Sequence, residues 1–202
     1  VIGVISDLNR YDGYAEKIAA YGDPAKLQDR NQAVLQKVGA SPAAVKAFMD
    51  NRFYTLSTRT QLINALNGLS GLKDRAELIE IAAGAQSREG AEYFTRSIAQ
   101  LAAIHRRETP LDQVVSGAQI PAAATADGRV IIPLPVDYLA WTEHVAGIFT
   151  RAAALIRSEH AVSTVEARVY GFLSPRCREE FAKAAVAVKE NITGAAFAPG
   201  GE

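Results

Sequence analysis

Residues 120–134 read IPAAATADGRVIIPL. Two runs able to extend, Ile120 to Thr125 and Arg129 to Leu134, flank the tripeptide Ala126-Asp127-Gly128. Asp-Gly between such runs predicts a β-hairpin, because glycine takes the positive φ of a tight turn without steric cost. Pro121, Pro133 and Pro135 lack a backbone donor, so they are expected where a strand end lies at a sheet edge or beyond its paired region. The stretch also marks a change of texture. Before Thr109-Pro110 the apolar residues recur at helical spacing, and after it come β-branched runs and turn dipeptides.

Upstream, the pattern predicts about six helices. The first covers 7–21, with Leu8, Ala15, Ile18 and Ala19 as its stripe. Asp23-Pro24 and Ser41-Pro42 each supply a cap followed by a first-turn proline, opening helices that carry Leu27, Val34, Leu35 and Val38, then Val45, Phe48 and Met49. Thr55 or Ser57 caps a fourth helix through Leu62, Ile63 and Leu66. A fifth carries Leu72, Leu78, Ile79 and Ala82. Ser87 caps a long sixth helix whose stripe holds Phe94, Ile98, Leu101 and His105. No fixed repeat period accompanies them, so the common solenoids are not indicated.

Downstream of the hairpin, Asp137 is expected to cap a helix of about 20 residues holding Leu139, Trp141, Val145, Phe149, Ala152 and Ile156. Residues 165–173 alternate, with Val165, Ala167, Val169 and Gly171 on one face and Glu166, Arg168, Tyr170 and Phe172 on the other. Ser174-Pro175 opens a short helix anchored by Phe181, and 186–190 form a last strand. Strand, helix and strand make a βαβ unit. The expected fold is therefore α+β. A helical array or bundle fills 1–109 and a small α/β unit (β-hairpin, long helix, βαβ) fills 110–193, with 194–202 a frayed tail. The two parts are either separate or share one core, since about ninety residues leave a small sheet needing cover on its second face.

Lys plus Arg and Asp plus Glu both total 22. Split at Pro110, the chain carries 14 basic and 12 acidic residues, then 8 and 10. That balance argues against a nucleic-acid footprint or a polybasic membrane patch. No stretch reaches the roughly 18 apolar residues of a spanning helix. Cys177 is the single cysteine, which excludes an internal disulfide and a cysteine-rich zinc site. Val1 is preceded by no initiator Met and no leader, and is read as the start of a trimmed or matured chain.

The chemical candidates are few. His105 lies in a helix stripe near a C-terminus, where a core role suffices. His144 follows Glu143 and His160 follows Glu159, and helix neighbours point about 100° apart, so neither pair chelates a metal. No metal ligand set and no cofactor is predicted. Ser41, Ser87 and Ser174 are explained as caps. Cys177, between Arg176 and Arg178 at a helix start, would be an activated thiol if exposed, and is otherwise a small packing residue. The same turn, Leu173-Ser174-Pro175, is a conceivable anion site with Arg176 and Arg178. Gly68-x-x-Gly71 is too short for a phosphate loop. Glu179-Glu180 and Glu77 with Glu80 read as charged helix faces unless something places them in a cleft. Trp141, near Tyr138 and Glu143, reads as a packing anchor before a groove residue.

Two blocks carry a resemblance. One is VGASPAAVKAFMDNRFYT (38–55) followed by QLINALNGLSGLKDRAELIEIAA (61–83). The other is DGRVIIPLPVDYLAWTE (127–143) with SPRCREEF (174–181) and VKEN (188–191). Together they resemble the C-terminal portion of a group of uncharacterised exported bacterial proteins, mostly longer than this chain. The similarity spans most of 25–192 and lies in pattern and spacing. It implies export, hence a periplasmic or secreted location, and no activity or site residue.

Two functional readings follow. The first is a non-enzymatic interaction or scaffold domain, contacting a protein partner or the rest of a longer chain. The second is a hydrolase or small-ligand-binding enzyme with a site at the junction of the two parts, where pockets favour interfaces; His105, Arg129, Trp141 and His144 are its first residues to inspect. A deep pocket with at least two convergent titratable groups favours the second reading. A flat apolar patch favours the first.

Overall fold

Aspartate and serine side chains open the helices as their spacing promised. The computed structural model describes residues 23–159 and 163–192; the helix expected over 7–21, His160 and the tail 194–202 lie outside them. Asp23 accepts the N–H of Ala25 at 2.9 Å and starts α1 (Pro24–Val38). Ser41 accepts from Ala44 at 3.1 Å and starts α2 (Pro42–Asp50). Thr55, not Ser57, accepts from Thr58 and starts α3 (Leu56–Asn67). Each bond satisfies one of the free N–H groups of a first turn.

The next helix is shorter than expected. α4 spans only Glu77–Ala83, and Leu72, though buried, lies in the turn before it. The reason is long-range: Lys73 forms a parallel bridge to Gln113, its N–H reaching Asp112 O at 2.9 Å. That pairing extends the chain at Lys73, and residues 74–76 then turn, with Asp74 at φ +57°, before the helix begins at Glu77. Ser87 then caps the 20-residue α5 (Arg88–Arg107). α3 packs between α1 and α5, and α2 packs on α4, over a core that includes Phe48, Leu62, Ile63, Leu66, Leu78, Ile79, Ile98 and Leu101. Full burial of side chains this size contributes roughly 1.5–3 kcal/mol each before entropy is set against it.

The sheet follows in the order β1-β2-β3-β5-β7, with β1 Leu111–Val114, β2 Ala123–Thr125, β3 Arg129–Leu134, β5 Thr164–Val169 and β7 Val186–Lys189. The hairpin forms as the Asp-Gly signal predicted. β2 and β3 are antiparallel through Ala123↔Ile131 and Ala124↔Val130, and Gly128 has φ +80°. β3, β5 and β7 run parallel, joined by α6 (Glu143–Glu159) and α7 (Pro175–Lys183). The chain is thus α+β with helices first. Pro133 departs from expectation, sitting inside β3 opposite Arg168. The β2 ladder stops at Ile131, so beyond it one side of β3 has no strand neighbour and a missing N–H is accommodated.

Two further strands, β4 (Tyr138–Leu139) and β6 (Phe172–Leu173), pair in parallel as a small ribbon beyond β3 and β5. This ribbon overturns the expected cap at Asp137. With 138–139 extended, α6 starts only at Glu143, and Thr142 accepts the N–H of Val145 at 3.2 Å. Leu139 and Trp141 therefore precede the helix. The ribbon also interrupts the strand expected over 165–173 at Tyr170-Gly171. There Gly171 N–H meets Val136 O at 2.8 Å, and a Cβ on residue 171 would fall 1.8 Å from Asp137 O. Only glycine permits that approach.

Alternate residues of the hairpin serve two cores. Ala123 and Ile131 join the helical core with Leu111 and Val114. Ala124, Val130 and Ile132 join a second core with Val165, Ala167, Phe149, Ile156 and Phe181, beneath α6 and α7. α5 covers the first face of β3, so the sheet lies between two helical layers. Trp141 is the anchor expected, its ring edge-on to Phe181 at 6.1 Å.

Candidate functional site at the carboxyl end of β3

Five segments leave a cleft of about 990 Å³ between the helical array and the sheet. Leu134, Val136 and Leu139, at and beyond the end of β3, form its floor. Val145, Ile148 and Phe149 of α6 make one wall, and Tyr93 and Phe94 of α5 with Ile81 of α4 make the other. The β1–β2 loop, Gly117 to Ile120, closes one end. At β3 the antiparallel pairing with β2 gives way to parallel pairing with β5, and α/β sheets bind ligands beyond the carboxyl ends of their parallel strands.

Hydrogen bonds hold the walls. Tyr54 donates its hydroxyl to Ala82 O at 2.8 Å, and the Asn51 amide donates to Ala83 O and Ala85 O at 3.0 Å each. These fix the C-terminal end of α4. Ser116 donates to Glu77 at 2.8 Å and ties the closing loop to the same helix. Gln113 donates to Asp74 at 2.8 Å.

The polar groups stand around the rim. Glu77 and Glu80, one turn apart on α4, and Glu89 in the first turn of α5 are carboxylates; His144, Gln86, Gln119 and Ser87 complete the set. No lysine or arginine is among the described lining residues. Glu89 is held below the usual carboxylate range by its own backbone N–H and by Ser87, as suits an anion at a helix N-terminus. Burial pushes the Tyr93 phenol up to about 12 against a small opposing effect of Ser97, so it stays a neutral hydroxyl. His144 is exposed and, among the described residues, has no hydrogen bond or ion pair. Ser87 already serves Gly90 N–H. The arrangement is an apolar basin with an acidic edge.

Of the four junction residues expected from sequence, His144 lines this cleft. His105 ties the helical array to β1: its Nδ1 accepts Leu111 N–H at 2.9 Å, which leaves Nε2 as the donor to Ser70 O at 3.1 Å. Arg129 begins β3 at the end away from the cleft. Trp141 packs on Phe181. Glu77 and Glu80, read as a solvated face, are the residues the fold brings into a cleft.

The other candidates resolve structurally. Cys177 is fully buried, and burial, with Glu190 adding to it, pushes the thiol up to about 11 despite Arg178. The exposure that an activated thiol would need is absent, and Cys177 is a small packing residue. The anion position at the start of α7 is filled by the protein itself: Leu173 N–H donates to the Glu190 carboxylate, which also receives Arg178 at 2.7 and 3.0 Å. Gly68 and Gly71 flank a turn after α3. Glu180 pairs with Lys183 at 2.8 Å. Among the described residues no group of three or more His, Cys, Asp or Glu is placed to hold a metal, and no helix is long and apolar enough to cross a membrane. No family model matches the chain, and no curated protein or solved structure matches it either.

Proposed function

We propose that the chain binds a small, predominantly apolar ligand in the cleft at the end of β3. The observation that carries this reading is the basin itself, a cavity of about 990 Å³ with an apolar floor and walls. That is the upper end of the size range of small-molecule sites. Of the rim groups, Ser87 and Glu77 are engaged in structural hydrogen bonds. This supports binding over a nucleophile-and-base chemistry.

The test is titration with Nile red, a neutral dye that brightens in apolar surroundings. Saturable one-to-one binding is expected, and Ile148→Trp, which fills the basin from the half-buried wall of α6, should abolish it while leaving the thermal midpoint within a few degrees. Absence of saturable binding, or binding indifferent to Ile148→Trp, overturns the reading.

One observation favours the interaction-domain reading as a second possibility. Among the described residues, Tyr138 and Phe172 are the large hydrophobics exposed by about half, 50% and 52%, and they are register partners on the β4–β6 ribbon. Paired exposed aromatics suit a protein contact. Replacing both with serine should leave dye binding intact and remove any partner recovered by crosslinking.

A further inference from the structure

We infer that the ligand of this cleft is an amphiphilic cation, an apolar body ending in an ammonium group, and that Glu80 receives the charged end; the inference rests on the cleft being a ligand site. Three carboxylates, Glu77, Glu80 and Glu89, line the mouth, and no lysine or arginine lines it with them among the described residues. The three differ in what they already do. Glu89 is served by the N-terminus of α5 and by Ser87. Glu77 accepts the Ser116 hydroxyl. Glu80, one turn further along α4 on the same face, has no hydrogen bond or ion pair among the described residues.

A ligand seated in the apolar basin must leave its polar end at this edge. An anionic end would meet three like charges there, and such juxtaposition excludes a ligand as effectively as contacts select one. An ammonium end meets complementary charge. Tyr93 and Phe94, edge to face at 5.6 Å on the adjoining wall, add π surface of the kind that attracts cations. Acidic edge and aromatic wall favour the same sign.

The experiment displaces Nile red with three ten-carbon probes of equal tail: decylamine, decanol and decanoate, at pH 7 below their aggregation limits. Decylamine, protonated at this pH, is expected to displace the dye at roughly tenfold lower concentration than decanoate, with decanol between them. Added salt should shrink the preference, because the rim is solvent-exposed. Glu80→Gln should cut it to about threefold without altering decanol. Equal displacement by all three, or a preference for decanoate, overturns the cationic assignment and leaves the cleft reading standing. A preference untouched by Glu80→Gln overturns the role of Glu80. If Nile red itself does not bind saturably, the cleft reading falls and this inference with it.

Discussion

Arg168 and Glu166 lie two residues apart on the interior strand β5, meet at 2.5 Å, and are almost completely buried. Arg168 also reaches Glu108, just past the end of α5, and Glu166 receives Lys189 of β7 at 3.1 Å. The chain of charges joins the helical array to two strands. Breaking a buried pair on one side leaves an uncompensated charge, which costs about 3–5 kcal/mol, whereas removing both is far milder. Arg168→Met should therefore destabilise strongly, and Glu166→Leu with Arg168→Met should recover much of the loss. A double-mutant cycle in urea measures the difference.

The same pair sets an acid limit. Burial alone would raise the Glu166 carboxyl, but hydrogen bonds and charge from Arg168 and Lys189 outweigh it and hold the group below its ordinary value of 4.5. A depressed carboxyl stabilises the fold fully above the unfolded value and loses its contribution as pH falls through the folded one. Stability should drop below about pH 4.5, and the drop should be smaller in the double variant. Denaturant midpoints measured between pH 6 and 3 check this.

Gly171→Ala places a methyl 1.8 Å from Asp137 O. The methyl is fixed to the backbone at residue 171 and Asp137 O is itself backbone, each just before a strand of the β4–β6 ribbon, so relief requires moving the chain. We expect a loss of about 3 kcal/mol, the upper end of ordinary overpacking, and a thermal midpoint lower by roughly 6–12 °C.

Gln100, on α5, is buried with neither its amide nitrogen nor its carbonyl oxygen hydrogen-bonded. An unsatisfied buried polar group costs about 1–3 kcal/mol. Gln100→Met, similar in length and free of that cost, should stabilise the protein by about 1 kcal/mol in the same denaturation assay.

Cys177 should resist disulfide reagents in the native protein at pH 8, since its thiol is buried and raised to about 11. Labelling should appear only as urea unfolds the chain, and should accelerate in Gly171→Ala in proportion to its lost stability. Fast labelling of native protein would show an open α7.

Much of the fold was legible because its signals are local. Asp23, Ser41, Thr55, Ser87 and Ser174 act within three residues of themselves, and the Asp127-Gly128 turn within four. What escaped depends on distant partners. β1 is four residues without alternation, made a strand by Lys73 and β2. β4 and β6 are two residues each and exist through one another. Their pairing displaced the start of α6 from Asp137 to Glu143. The cleft was hidden for the same reason. Glu77 and Glu80 look like any charged helix face until residues 117–120 and 144–149 arrive opposite them.

The hairpin on which the two cores meet has its own consequence. Ala122, Ala123 and Ala124 are all buried, and Ala123 faces one helical layer while Ala124 faces the other. A partition this thin transmits pressure. A bulkier side chain on either surface pushes its own layer outward or bows the strand toward the opposite one, so a change on one side registers on both. The partition leads, through β3, to the floor of the cleft. Substitutions along β2 should therefore retune the basin's shape without touching anything that lines it.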